Sequence, residues 1–297
     1  MIELWRGRGI VPPPCAPFRC VPVFTRREPK IAEQELTRIP GAEPQSHMDV
    51  WWWLVALVAG VIVLLSVLEP DPYWRVILFV RDGLWVTVFL TLVSFVFVLL
   101  VGLLGGLGRL SKNRAINLVA TLYVELVRGV PLLVQLIWWY FAFPVIIQQI
   151  GRWTHISALV TYQANAILLA VVGMVFCYGA YMSEIYRAGI QSIPKGQMEA
   201  ARSLGMTYFQ AMRHVVLPQA IRVILPPVGN EFIALLKDSS LVSVVAVADM
   251  TRRGREFMAT HFNPIEVWTM VALLYLVMTL FSARLVNWLE RRTKFER

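Results

Sequence analysis

The sequence predicts an all-α integral membrane protein with about six membrane-spanning helices. Three observations carry that prediction. Hydrophobic residues make up 57% of the 297 residues and charged residues only 16%, which is too apolar for a water-soluble domain and right for a polytopic membrane chain. Apolar runs of about twenty residues, the length that crosses a bilayer, recur along the chain. Between those runs the cations cluster in short polar segments, as the positive-inside bias requires.

The elements follow in order. Residues 1–47 scatter Pro12, Pro13, Pro14, Pro17, Pro22, Pro29, Pro40 and Pro44 among charges, with no periodic apolar face. The expectation there is a disordered extension. Met48 stands immediately before the first apolar run, so either the extension is real or translation starts at Met48. Trp51–Leu68 is long for a signal-peptide h-region and lacks a small-residue cleavage site after it, so it reads as an uncleaved anchor helix followed by an outer loop up to residue 82. Further spans are expected at Leu84–Leu107, Gly129–Ile150, Ala164–Met182, Val216–Val247 and Ile265–Leu289.

Six spans place both termini on one side. Arg109, Lys112 and Arg114 follow the second span; Arg187, Lys195, Arg202 and Arg213 follow the fourth; Arg291, Arg292, Lys294 and Arg297 end the chain. All three clusters then fall on the same, cytoplasmic face. Arg252, Arg253 and Arg255 dissent by falling on the outer side. A partly re-entrant segment, carboxylates of an extracytoplasmic partner, or an exception to the charge rule would each account for them.

Several chemistries are excluded. Cys15, Cys20 and Cys177 make neither a disulfide framework nor a zinc site, and His47, His155, His214 and His261 are dispersed, so no metal site is expected. The net charge of +9 is explained by cations flanking spans and by anionic lipid, not by nucleic acid. No G-x-x-x-x-G-K-[ST] is present. The stretch from Gly102 through Gly105 and Gly106 to Gly108 ends a membrane helix and reads as a helix-packing surface. Nothing resembles a nucleophile elbow or a catalytic carboxylate pair, so the chain is not expected to be an enzyme. Trp51, Trp52, Trp53, Trp138, Trp139, Tyr140 and Trp153 read as interfacial belts.

The polar groups within the apolar regions are the candidate site residues. The fifth span carries Pro218, Pro226, Pro227, Gly229, Asn230, Glu231, Lys237, Asp238, Ser239 and Ser240, which no continuous lipid-facing helix would contain. Broken helices bearing ionisable groups are tolerated where they face protein or water and are common solute sites. Lys237 and Asp238 either receive the carboxylate and ammonium of a zwitterion, or pair with each other or with a neighbouring helix, or sit at the outer headgroup level. Glu125 with Arg128, and Glu184 with Arg187, are one helical turn apart and read as structural pairs, the first also as a gate contact.

The most informative segment lies between the fourth and fifth spans. Pro194 suits the opening of a short helix, Glu199 falls in its early turns where the helix dipole favours an anion, and Gly205 supplies a left-handed stop. Ala200 and Ala201 permit close approach by a foreign surface, to which Glu199 offers a carboxylate. This is either a docking helix or an ordinary interfacial one. Glu199-Ala200-Ala201, then Gly205, then nine residues, then Val215, Leu217 and Pro218 resembles the EAA signature of ABC-importer membrane subunits, with Val215 where the family more often has Ile. The segments 125–135, 180–197 and 236–243 resemble the polar amino acid uptake permeases of the histidine, glutamine, glutamate and aspartate type. The likeness spans roughly residues 83–290.

That resemblance implies a type I ABC-importer transmembrane domain at 83–290 with a coupling segment at 193–218. It also implies partners: an ABC ATPase dimer that binds ATP and magnesium, a second permease copy or homologue, and an extracytoplasmic amino acid-binding protein. The chain itself would hold no cofactor. Two rivals from other classes remain at this point. An ion-coupled secondary transporter predicts inverted repeats, which are not seen here, and leaves 199–205 without a purpose. A non-transporting assembly subunit would bind the ATPase without supporting uptake.

Overall fold

The computed structural model describes residues 50–293. The Pro-rich extension 1–47, Met48, and the tail residues Lys294 and Arg297 lie outside them. No strand occurs among the described residues. The chain runs α1 (Val50–Leu68), α2 (Pro70–Leu110), α3 (Arg114–Arg128), α4 (Leu132–Ile137), a π-turn (Trp138–Ala142), α5 (Phe143–Thr154), α6 (Ser157–Val160) and α7 (Ala166–Gln191). It continues through α8 (Lys195–Ser203), α9 (Tyr208–Ala211), a second π-turn (Met212–Val216), α10 (Leu217–Asp238), a 3-10 turn (Ser239–Val245), α11 (Met250–His261) and α12 (Pro264–Thr293). Five segments are long and apolar enough to cross a membrane: α1, α2, 132–154, α7 and α12. The sixth long helix, α10, has 22 residues but is diluted by prolines and charges.

The hub is the pair α2 and α7. A Cβ on Gly102 would stand 2.4 Å from the Met182 side chain, and one on Gly106 would stand 2.9 Å from Tyr186. Glycine therefore lets the two backbones meet, and the register 102/182, 106/186 makes the helices parallel. In lipid the hydrophobic effect does not drive helices together, so this close packing is what holds the bundle. Both helices end at a basic end, with Arg109 and Arg187. The chain turns there into α3, which runs back antiparallel to α2: Asn117 donates to the Arg109 carbonyl and Ala120 lies opposite Gly108.

Two cores stack along the bundle. Nearer the basic end, Leu90 and Val98 of α2, Leu136 of α4, Met174 and Met182 of α7, and Leu235 of α10 form one cluster. Towards the far end, Tyr73, Val76 and Val80 of α2 pack with Met250 and Phe257 of α11 and with Met270 of α12. The anchor helix α1 lays Ile62 and Leu65 against the second core and is held to α12 by the Trp51 indole N–H on the Leu280 carbonyl at 3.3 Å and by Arg284 over the Trp52 ring.

Four expectations are corrected. Most of the outer loop expected before residue 83 is helix: α2 (Pro70–Leu110) is kinked at Asp71, whose φ is -109° and ψ 109°, and is helical from there to Leu110. The polar residues Arg75, Arg81 and Asp82 interrupt the apolar run without breaking the helix. The span expected from Gly129 begins at Leu132, because Gly129 to Pro131 is a break after α3, a helix the apolar-run reading did not foresee. Gln135, buried in α4, bonds that break to itself by donating to the carbonyls of Val127 at 2.9 Å and Val130 at 2.8 Å. The fifth span does not break at its prolines. Pro226 and Pro227 sit inside continuous α10. Gly229 serves close packing, since a Cβ there would meet Val286 at 2.2 Å. The helix changes character only at Ser239, where the 3-10 turn begins. Last, the aromatic residues Trp138, Trp139 and Tyr140 do more than form a belt: they build the π-turn, and Trp139 packs on Phe143 and Phe176.

Candidate coupling surface and translocation path

The polar segment after α7 folds as a short helix capped by its own backbone. Pro194 stands at the N-cap in an extended conformation and α8 covers Lys195–Ser203. Gly205 has φ +86°. Its N–H donates to the Arg202 carbonyl at 3.0 Å, and the Met206 N–H donates to the Ala201 carbonyl at 3.3 Å. These two bonds are the Schellman pattern, which needs a left-handed residue at that position. Thr207 then starts α9 with a reciprocal capping box with Gln210.

Within α8 the three motif residues divide. Ala201 is buried, 4% exposed, against the π-turn at 212–216 and α9. Glu199 and Ala200 are exposed. Around them Leu204, Tyr208 and Phe209 are exposed at 82%, 61% and 71%, so the outward side of α8 and α9 combines one carboxylate with apolar anchors. Gln219 donates to Gln197 at 3.3 Å, tying α8 to the first turn of α10. Pro218 occupies that first turn and Leu217 is partly exposed.

The polar residues of α10 are brought together along one helix but do not act as one group. The Tyr178 hydroxyl donates to Asp238 at 2.7 Å. Tyr178 lies near the middle of α7, so this bond sits deep in the bundle and not at a headgroup level. Lys237 and Asp238 do not pair with each other: Lys237 is exposed and forms no ion pair among the described residues. Asn230, also exposed, is seven residues away and therefore on the same face. Glu231 is partly buried within the field of Arg128 and Asp238. Ser239 is buried, its hydroxyl turned back to the Leu236 carbonyl at 2.7 Å, which removes it from any path. Ser240 is partly buried beside it.

At the basic end the ion pairing differs from the sequence expectation. Glu184 and Arg187 do pair. Glu125 does not pair with Arg128; it bonds Arg109 at 3.3 Å, and Arg128 lies 5.1 Å from the Tyr181 ring centroid. Arg109, only 12% exposed, also bonds Glu184 at 2.6 Å. One guanidinium thus joins α2, α3 and α7, and Arg187 continues the network to Gln191 at the last residue before the α8 segment. Arg109 and Tyr178 escaped sequence reasoning because their partners lie 75 and 60 residues away.

The dissenting arginines belong to α11. Arg253 bonds Asp82 of α2 at 2.6 Å and Glu256 at 2.9 Å. Arg252 bonds Glu256 at 3.0 Å. Arg252, followed by Arg253, holds the Glu256 carboxyl below its ordinary value. Carboxylates of this chain therefore satisfy two of the three arginines, leaving Arg255, exposed, with the Ser243 hydroxyl at 3.3 Å. No cluster of His, Cys, Asp and Glu suited to a metal occurs among the described residues.

Residues 98–295 match the family described as binding-protein-dependent transport system inner membrane component. The glutamine transport system permease protein GlnP of Escherichia coli K12 is 36% identical over 221 residues, covering 74% of this chain and 95% of its own length. The arginine transport system permease protein ArgU of Corynebacterium glutamicum is 35% identical over 266 residues, 87% of this chain and 82% of its own length. A crystal structure of an amino acid ABC transporter with histidines matches with TM-score 0.65 and 39% identity, covering 77% of this chain and 97% of that one. The methionine transporter MetNI, at 20% identity and TM-score 0.60, shares the fold. With the EAA-like helix, the multi-pass bundle and these matches together, the chain belongs to the binding-protein-dependent transport system inner membrane components, the permease subunits of ABC importers.

Proposed function

We propose that this permease carries polar amino acids, delivered by a soluble extracytoplasmic binding protein, and that α8 couples their passage to a partner ABC ATPase dimer that binds ATP and magnesium. The observation that carries the coupling role is the outward presentation of Glu199 and Ala200 beside Leu204 and Phe209 on a helix fixed by the Gly205 cap. In this reading Pro194, Ala201, Leu217 and Pro218 shape the support of the docking surface. Closure of the ATPase dimer displaces α8, and the tie to α10 through Gln197 and Gln219 carries the movement to the helix that lines the path. The amino acid class rests on relatives named for glutamine, cystine and arginine transport. A second permease copy or a homologous permease completes the path, both termini are cytoplasmic, and α8 lies on that same side.

On the path, Lys237 and Asn230 are the groups left open, with Glu231 beside Arg128. Lys237 receives the solute carboxylate. Asp238, engaged by Tyr178, holds the end of α10 in place instead of binding an ammonium group.

Reconstitution tests this reading. Proteoliposomes containing the permease, its ATPase and the binding protein should take up amino acid only with internal or external ATP on the ATPase side, and uptake should survive collapse of ion gradients. Uptake driven by a proton or sodium gradient without ATP would support the secondary-transporter alternative instead. Lys237→Met should reduce uptake at least tenfold while leaving ATPase association intact; unchanged uptake would remove Lys237 from the path.

A further inference from the structure

The α2–α3 hairpin leaves an apolar groove of about 530 Å³ on the surface of the bundle, within the range of small-molecule sites. Its walls are Val101 and Leu104 from α2, and Ile116, Val119 and Tyr123 from α3. Gly108 sets its depth by bringing the helices together: a Cβ there would stand 2.9 Å from that of Ala120. The two walls are joined at the basic end by residues 111–113, and the groove therefore closes beneath Lys112 and Arg114. Both cations are exposed and neither forms an ion pair among the described residues. Arg109, the third cation of this turn, is committed to Glu184 and Glu125, and Glu125, the nearby carboxylate, is thereby occupied.

An apolar slot between α2, a segment able to cross a membrane, and α3, with unpaired cations at its basic end, matches an amphiphile with one anionic head. A peptide or a free anion would use only half of these features. We propose that the groove between α2 and α3 is a binding site for an anionic phospholipid of the basic-end leaflet, an acyl chain lying against Gly108, Ile116 and Val119 and the phosphate meeting Lys112 and Arg114. The site is independent of the transport reading, because it requires only that this hairpin sit in a bilayer.

Native mass spectrometry tests it on the full chain released from nanodiscs containing equal phosphatidylglycerol and phosphatidylcholine. Wild type should retain phosphatidylglycerol in preference. Lys112→Gln with Arg114→Gln should lower that preference about thirtyfold, the equivalent of ~2 kcal/mol for two basic side chains at an anionic surface. Val119→Trp, at a position 68% exposed, should fill the groove and lower retention while leaving the charge unchanged. Arg291→Gln, at the basic end of α12, should change nothing. Equal loss with Arg291→Gln, or full retention with Val119→Trp, would show general attraction of anionic lipid to a basic surface and overturn the groove.

Discussion

Gly205 and Glu199 were legible in the sequence because their chemistry is local. A left-handed stop, a proline at the start and a carboxylate within the same short helix need no distant partner, and the structure places Pro194 at the N-cap of α8, Glu199 within it and Gly205 just past its end. Gly205→Ala meets nothing within 4 Å, so its cost is conformational alone, about 1–2 kcal/mol for an L-residue held at φ +86°. Amide hydrogen exchange should show faster opening of residues 201–206, with Gly205→Asn milder; equal protection in all three would mean that the cap does not hold α8. Arg109 was not legible, since nothing within a few residues announces Glu184 across the bundle. Glu184, 26% exposed, bonds both Arg109 and Arg187, whereas the Glu125 side chain is 64% exposed. Glu184→Gln should therefore lower the apparent unfolding midpoint in detergent by an amount worth about 1–3 kcal/mol, and Glu125→Gln by less than about 1 kcal/mol. The reverse order would contradict the assignment of Arg109 as the junction of α2, α3 and α7.

Among the elements, apolar-run length located most spans but misjudged their ends and interiors. A run of hydrophobic residues does not report that α2 continues as helix through Arg75, Arg81 and Asp82, because in that half its neighbours are α11 and α12, and Arg75 and Asp82 find partners in Asp71 and Arg253. Prolines misled in the opposite direction: Pro226 and Pro227 announce a break, yet α10 runs through both of them. α11 was the least legible element, a basic helix on the far side in which Arg252 and Arg253 are answered by Asp82 and Glu256. The Glu256 carboxyl is lowered by Arg252 and Arg253. A group whose folded value lies below its unfolded one stabilises fully above the unfolded carboxylate range and loses that contribution as pH falls through the lowered folded value. Exchange protection of α11 should therefore weaken on acidification below the ordinary glutamate range, and Glu256→Gln should flatten that dependence. A pH profile identical in both proteins would remove Glu256 from the stability of α11.

At the scale of the whole molecule, two separate arguments converge. Cations gather at the ends of α2, α7 and α12, which the charge rule assigns to the cytoplasm, and the EAA-like helix emerges at the end of α7. The bundle brings Arg109 and Glu184 together, so that at least the α2 and α7 clusters share one end of the fold. Family and multi-pass architecture were readable because the motifs occur in order along the chain. The separation of Lys237 from Asp238 was not, since it depends on Tyr178 of a different helix. The central claim is that α8 is the surface through which a partner ATPase drives this permease. The most direct measurement is co-purification of the tagged chain from native membranes in mild detergent, with mass spectrometric identification of its companions, for wild type and Glu199→Arg. The account predicts an ABC ATPase with wild type and its loss with the variant, while the variant remains in the membrane at normal abundance. Recovery of the same ATPase at the same yield with Glu199→Arg, or of none with wild type where other membrane complexes survive, would contradict it.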